Sequence, residues 1–326
     1  MAQPNQNNVH VNAILTQIST AYIQDAANFI ASRVFPVIPV DKQSDLYFTY
    51  NKGDWFRDEA KQRAGGTESA GSGYGISTDS YAAKVYAMHK DVDDQTLANA
   101  DNPLNLHMDA TRFVTQRLLL RQEVQWASDY FATGKWGTDM TGQSASGPDS
   151  THFVQWDQYA TSDPINDVEV GRDTIQQNTG FEANTLVLGR KVWRVLKNHP
   201  QIRDRIKYTS AENTTPQMLA SLFEVDNVYV ANAIQNTAHE GQTAAMARVF
   251  GNHVLLCHSA PNPGLLVPTA GYIFHWTGVS GGLGTDVGIS QFRMEHLKAD
   301  RVEGEMAWAN KKVGADLGYF LYNATA

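Results

Sequence analysis

KGDWFRDEAKQRAGGTESAGSGYG, Lys52 to Gly75, separates two segments that read as β-strands. Before it, Leu46-Tyr47-Phe48-Thr49-Tyr50, and after it, Tyr81 to Met88, have the aromatic and β-branched content of strands. The pattern predicts a hairpin with a tip far longer than a turn requires. Unstructured connections beyond about 12 to 15 residues are uncommon inside compact domains and are functional or disordered where they occur. This one sets Lys52, Arg57, Lys61 and Arg63 against Asp54, Asp58, Glu59 and Glu68, and adds Trp55 and Phe56. Disorder alone would not need the two rings. At about 3.3 Å per residue the arms would carry the tip roughly 40 Å outward, too far to fold back on its own core, so the rings are expected on a neighbouring molecule. The plainer expectation is a surface loop with both rings tucked beneath it.

Outward from the hairpin the chain divides further. Residues 1–12 are rich in Asn and Gln and read as an arm. Ile14, Ile18, Tyr22, Ala26 and Ile30 recur every four residues and predict a helix up to Val34-Phe35-Pro36, where Pro36 and Pro39 impose extended chain. Beyond the hairpin, Asn102-Pro103 supplies a cap and a first-turn proline and Gly134 a stop. Leu106, Ala110, Phe113, Arg117, Leu120, Val124, Ala127 and Phe131 mark the expected buried stripe, broken only by Arg117. A helix over 103–133 would run roughly 45 Å at about 1.5 Å per residue.

GKWGTDMTGQSASGPDS (134–150) reads as a loop. A helix is expected from Ile165 to about Asn178, a strand at 185–188, helical GRKVWRVLKNHP, and strands at 228–230, 254–256 and 272–274, a mixed α/β unit over about 185–284. Glycine-rich SGGLGTDVG then leads into one long extended segment, with five basic and five acidic residues between Arg293 and Asp316. No internal repeat is present.

Composition bounds the function. The 326 residues are 42% hydrophobic and 18% charged, which specifies a globular chain with a sizeable core. A net charge of -8 argues against a protein whose main work is gripping nucleic acid, since that affinity comes from cations on phosphates. The single Cys257, within HVLLCH, can form no internal disulfide and reads as a buried hydrophobe. MAQPNQNNVHVN lacks the basic and apolar regions of a signal peptide, and no segment approaches the roughly 20 apolar residues of a membrane span. A soluble, unsecreted, unanchored protein is expected.

Four constellations invite chemistry. Gly278-Val279-Ser280-Gly281-Gly282 matches the nucleophile elbow GxSxG, with Asp286 and His296 in hydrolase order. An elbow needs a helix directly after the serine, however, and LGTDVG is a poor helix former, so an interdomain hinge fits better. Gly71-Ser72-Gly73-Tyr74-Gly75 precedes a strand, with no helix N-terminus to hold a phosphate. His253 and Cys257 would share a strand face while His258 points away, with no second ligand pair for a metal. Arg112, Arg117 and Arg121 could face nucleic acid, although such residues on a rod of mixed charge usually form a solvated face.

The order of arm, long hairpin, long helix, α/β unit and final extended strand resembles the major capsid proteins of tailed double-stranded DNA bacteriophages, the Hong Kong 97-type α+β shell fold. VFPVIPVDKQSDLYFTYNKGDWFRDEAKQRAGGTES (34–69) and KADRVEGEMAWANKKVGADLGYF (298–320) are similar to segments that recur in siphophage capsid proteins. The likeness covers essentially the whole chain, and neither segment is a catalytic signature.

The resemblance implies an N-terminal arm over 1–44, an extended E-loop over 45–92, a peripheral domain over 93–184 and 285–326 with its spine helix at 103–133, and an axial domain over 185–284. It implies a self-assembling, non-enzymatic shell protein of the virion, built from pentamers and hexamers of itself in the host bacterial cytoplasm, with no cofactor and no membrane. The packaged DNA would be enclosed without sequence-specific binding. A portal is implied, a decoration protein is an open partner, and scaffolding is expected from a separate protein because no helical pro-region precedes the arm. Contacts between subunits are expected at Trp55, Phe56, Arg57, Asp58, Glu59, Lys61 and Arg63 of the loop and at Arg301, Glu303 and Glu305 of the last strand. The lysine-asparagine cross-link of some relatives cannot be assigned to Lys52 or Lys61. Bacterial encapsulins, shells of the same fold around protein cargo, are the rival expectation.

Overall fold

The computed structural model describes residues 24–100, 104–144, 149–206, 214–264, 266–280 and 287–326. Expectations for residues 1–23, for Asn102-Pro103 and for 281–286 lie outside the described residues. The strands, in chain order, are β1 (Val37–Val40), β2 (Ser44–Tyr50), β3 (Ile76–Ala82), β4 (Lys84–Asp93), β5 (Thr138–Gln143), β6 (His152–Val154), β7 (Thr185–Gly189), β8 (Asn227–Ala231), β9 (Ile234–Asn236), β10 (Met246–Arg248), β11 (Val254–Cys257), β12 (Gly271–Trp276), β13 (Gly288–Met294), β14 (Ala299–Lys312) and β15 (Gly318–Tyr322).

A five-stranded sheet is organised by β14. One edge of β14 pairs antiparallel with β4 along Ala299–Trp308; its other edge takes β13 and then β12, and β1 lies parallel to β12. The long helix Leu106–Tyr130 crosses β14 and β4. The approach is close at Gly304, where a Cβ would stand 2.4 Å from the Val114 side chain. A six-stranded sheet runs β6-β5-β15-β11-β7-β8, and β9 and β10 form a separate ribbon. Between the sheets lies an aromatic core: Phe35 packs on Trp126 and Tyr130 at 5.4 and 4.9 Å, and Trp126 on Phe250 at 5.7 Å.

The long helix is shorter than expected, 25 residues or about 37 Å, and its cap is Asn105, which accepts from the Met108 amide at 3.1 Å. Its buried row is Ala110, Val114, Leu118, Gln122, Trp126 and Tyr130, with Glu123 and Ala127 beside it. Phe113 is exposed instead, because the true row steps by four through Gln122, a polar residue that an apolar stripe passes over.

Other expectations also shift. The expected helix before Pro36 is, among the described residues, a 3-10 turn Ala26–Asn28 and one α-turn Ala31–Val34. Tyr81 to Met88 is not one strand: the chain leaves the hairpin at Ala83 and enters the five-stranded sheet. Thr138–Gln143, read as loop, forms β5 because β15 pairs with it in parallel, a tertiary contact its local sequence does not announce. The final extended segment is a hairpin, β13-β14, followed by a strand in the other sheet. Both sheets draw on both sides of the 184/185 and 284/285 boundaries: β15 pairs with β11 and brings β5 and β6 into the sheet of β7 and β8, whereas β12 pairs with β14.

Candidate functional site

The 44–82 hairpin has two chemically different faces. Register pairs Asp45 with Tyr81, Tyr47 with Asp79 and Thr49 with Ser77 on one face. Directly opposed residues share a face, so Leu46, Phe48, Tyr50 and Ile76 stand on the other. The first face lies on the body. Tyr81 stacks on Phe274 at 4.5 Å, and Tyr47 approaches the same ring at 5.6 Å. The Tyr47 hydroxyl donates to Asp79 at 2.6 Å, and burial together with that carboxylate pushes its pKa up. The second face is bare: Leu46, Phe48 and Ile76 are 62%, 64% and 53% exposed.

The tip is a folded unit. Asn51 caps a short helix, Lys52–Trp55, by accepting from the Gly53 amide at 3.2 Å. The Trp55 ring lies 5.2 Å from Tyr74 and 6.2 Å from Tyr50. Asp54 accepts from the Gly75 amide at 3.0 Å and pairs with Arg57 at 3.3 Å; Arg57 also reaches Glu59 at 3.8 Å, and Ser72 bonds Glu59. Arg63 Nε donates to the Thr67 carbonyl at 2.5 Å. Much of the expected charge complementarity is therefore met inside the loop. Asp58 and Lys61 have no ion-pair partner within 4 Å among the described residues, and Trp55 and Phe56 remain 54% and 64% exposed.

The expectation that the tip cannot return to its own body is corrected. Lys52 Nζ meets Asp316 Oδ2 at 2.5 Å, and the Phe56 ring lies 3.4 Å from where a Cβ on Gly180 would stand. Gly180 closes the helix Pro164–Thr179 in the left-handed conformation, φ 74°, which a side chain rarely adopts. The tip returns because the arms are neither straight nor free. Only seven residues of each arm are paired, about 23 Å, and the Tyr81 anchor lays the ladder along the body.

Arg301, Glu303 and Glu305 stand apart from the tip, on a stretch of β14 paired on both edges. Arg301 forks onto Asp91 at 2.7 and 2.8 Å, and its guanidinium holds the Asp91 carboxyl below its usual value. Arg117 lies over Phe113 and Arg121 over Tyr86, so two of the three helix arginines cover rings.

One buried anchor is not evident from the sequence. Glu123, 1% exposed, accepts from the amides of Ile30 and Ala31 at 2.9 and 3.0 Å, clasping the base of the N-terminal segment to the long helix. Burial pushes its carboxyl up to about 7 against the pull of the two amides. The available signal was an acidic residue beside Trp126 and Ala127 on the buried row.

The described part of the GxSxG stretch does not have the elbow's strand-to-serine turn: Ser280 is the fourth residue of the helix Thr277–Ser280, three residues past its start, and His296 is exposed in a turn. Gly281, Gly282 and Asp286 lie outside the described residues. His253 accepts from the Asn323 amide at 3.0 Å and stacks on Tyr322, His258 donates to the Glu182 carbonyl at 2.6 Å, and burial pushes the Cys257 thiol up. Among the described residues no group of three His, Cys, Asp or Glu could hold a metal, and no helix is long and apolar enough to cross a membrane.

The phage major capsid protein E family model matches residues 150–245. Over 324 residues the chain is 24% identical to the major capsid protein of Burkholderia phage BcepMu, covering 95% of each. It is 26% identical over 324 residues to the major capsid protein of Pseudomonas phage JBD67, covering 96% of each. The crystal structure of a phage-related protein from Bordetella bronchiseptica RB50 superposes with a TM-score of 0.69 at 24% identity, over 92% of this chain and 93% of that one. The capsid structure of cyanophage P-SCSP1u gives 0.61 at 11% identity, over 98% and 95%. Matched stretch, relatives aligned over nearly their whole length and shared architecture converge: the chain is similar throughout to phage major capsid proteins and has the Hong Kong 97-type α+β fold.

Proposed function

We propose that many copies of this chain close into an icosahedral shell of pentamers and hexamers, and that the hairpin is the element each copy offers its neighbours. The observation that carries this is the bare outer face. Leu46, Phe48 and Ile76 stand in water on a ladder whose inner face is fixed to the body. Fully burying side chains of this kind gains about 1.5 to 3 kcal/mol each, against about 0 to 1 for an exposed ion pair, so apolar area supplies the attraction and charge the register. Moderate contacts repeated by symmetry suit a shell, since misplaced subunits can still leave.

In this assignment residues 1–44 are the arm, 45–92 the E-loop, 93–184 and 285–326 the peripheral domain with the long helix as its spine, and 185–284 the axial domain, with strands of both domains meeting in each sheet. Trp55, Phe56, Arg57, Asp58, Glu59, Lys61 and Arg63 contact a neighbour together with Leu46, Phe48 and Ile76. Arg301, Glu303 and Glu305 contribute less, because Arg301 is already committed to Asp91. The protein acts by geometry, without a catalytic step, in the virion, after assembly in the host cytoplasm with scaffold and portal proteins, and its outer surface is open to a decoration protein. The acidic net charge favours containing DNA over binding it.

Electron microscopy of the purified protein tests the assignment. Closed shells are expected, and deletion of residues 54–72 is expected to leave a folded chain that forms capsomers poorly. Normal shells from the deletion variant would overturn the role of the hairpin. Native shells filled with protein cargo in place of DNA would favour an encapsulin.

A further inference from the structure

The tip of the hairpin touches its own body at a small site far away in sequence. Lys52 meets Asp316 across 264 positions, and Phe56 lies on Gly180. Three features distinguish this contact from the rest of the hairpin. First, it is thin: the Lys52 and Asp316 side chains remain 48% and 45% exposed, whereas Tyr81 at the hairpin base is buried against Phe274. An exposed ion pair and one ring edge hold little by themselves. Secondly, the tip is braced from within, by the Asn51 cap, the Asp54–Arg57–Glu59 charges and the Tyr50, Trp55 and Tyr74 rings. It can therefore dock as a preformed unit on any copy of the same site. Thirdly, docking on its own body leaves Leu46, Phe48 and Ile76 uncovered. A second subunit could bury that face and present an identical Asp316 and Gly180 at the same time.

We propose that Asp316 and Gly180 form a receptor for the hairpin tip that is occupied within the chain in the free subunit and by the tip of a neighbouring subunit in the shell. The inference rests on the self-assembly assigned above. The free subunit thereby carries its own competitor for the assembly contact, which delays pairing until several copies meet and the outer hairpin face is buried as well. Exchange of an identical element between protomers needs no new complementarity, because the closed form already supplies it.

Zero-length coupling reads the exchange in the unaltered sequence. A carbodiimide activates the Asp316 carboxyl; Lys52 Nζ attacks its carbonyl carbon and loses a proton to solvent, an amide forms, and the carbodiimide leaves as its urea, having taken up the oxygen of the carboxyl. Equal amounts of chain with natural and with heavy nitrogen are mixed, coupled either as free subunits or after assembly into shells, digested and weighed. In free subunits the linked Lys52–Asp316 peptides should be all light or all heavy. In shells about half should be light joined to heavy, as random neighbours require. Shells holding only unmixed pairs, or no linked pair at all, would overturn the exchange while leaving the assembly reading intact. Failure of the chain to form any particle would overturn both. As a second measurement, Lys52→Asp and Asp316→Lys chains are each expected to assemble poorly and to assemble better when mixed, a rescue that a contact confined within one chain does not allow.

Discussion

Trp126 and Tyr130 on the long helix are sealed from water, whereas Phe48, Trp55 and Phe56 on the hairpin are each more than half exposed. Both regions are aromatic, yet the helix rings pack on Phe35 and Phe250, whereas the hairpin rings other than Tyr47 and Tyr81, which lie on Phe274, meet mainly one another and solvent. The contrast separates two uses of apolar surface in one chain. In the body it specifies the fold; on the outer hairpin face it is available to a second molecule. Substitutions in the two regions should accordingly differ in what they damage.

The largest effect is expected in the body. Trp126→Ala empties a fully buried site and should cost about 3 to 5 kcal/mol, read as a large fall in melting temperature. A small fall would mean that the core described here does not carry the stability. The Glu123 clasp comes next. Its carboxyl is raised from 4.5 to about 7, so the stability linked to it is full below about pH 4.5 and is lost as pH rises through 7, by up to about 3 kcal/mol. Melting of the wild type and of Glu123→Gln at pH 5 and pH 8 isolates this group, because the other titrations are common to both chains. The wild type should lose more stability on going to pH 8; parallel behaviour would show that Glu123 does not titrate there. Gly304→Ala should cost about 1 to 3 kcal/mol, since the new methyl group would meet Val114 and Leu118 at 2.4 and 3.0 Å. An unchanged melting temperature would mean that the helix stands farther from β14.

Much of the scaffold was legible in the sequence, and the failures have physical causes. The β2 arm, the helix ending at Gly180 and the strand at 185–189 follow from local patterning and turn chemistry. The loop tip was legible as an unusual insertion because rings and balanced charge accompany its glycines. Its return to Asp316 was not, since a contact across 264 residues has no local signature. The outer face is not legible although Leu46, Phe48 and Tyr50 alternate, because a strand pattern does not say which face meets the body. β5 and β15 join the six-stranded sheet through long-range pairing, and Glu123 was passed over because a carboxylate on a buried row breaks the pattern that finds such rows.

Leu46→Ser together with Phe48→Ser should change stability least, within about 0.5 kcal/mol, since both side chains already stand in water. Sedimentation of this double variant beside the wild type, at matched concentration and with melting followed on the same samples, tests most directly that the hairpin's apolar face serves a neighbour. The expected result is an unchanged melting transition with particles lost to free subunits or small oligomers. Particles of normal size and yield from the variant would contradict the account.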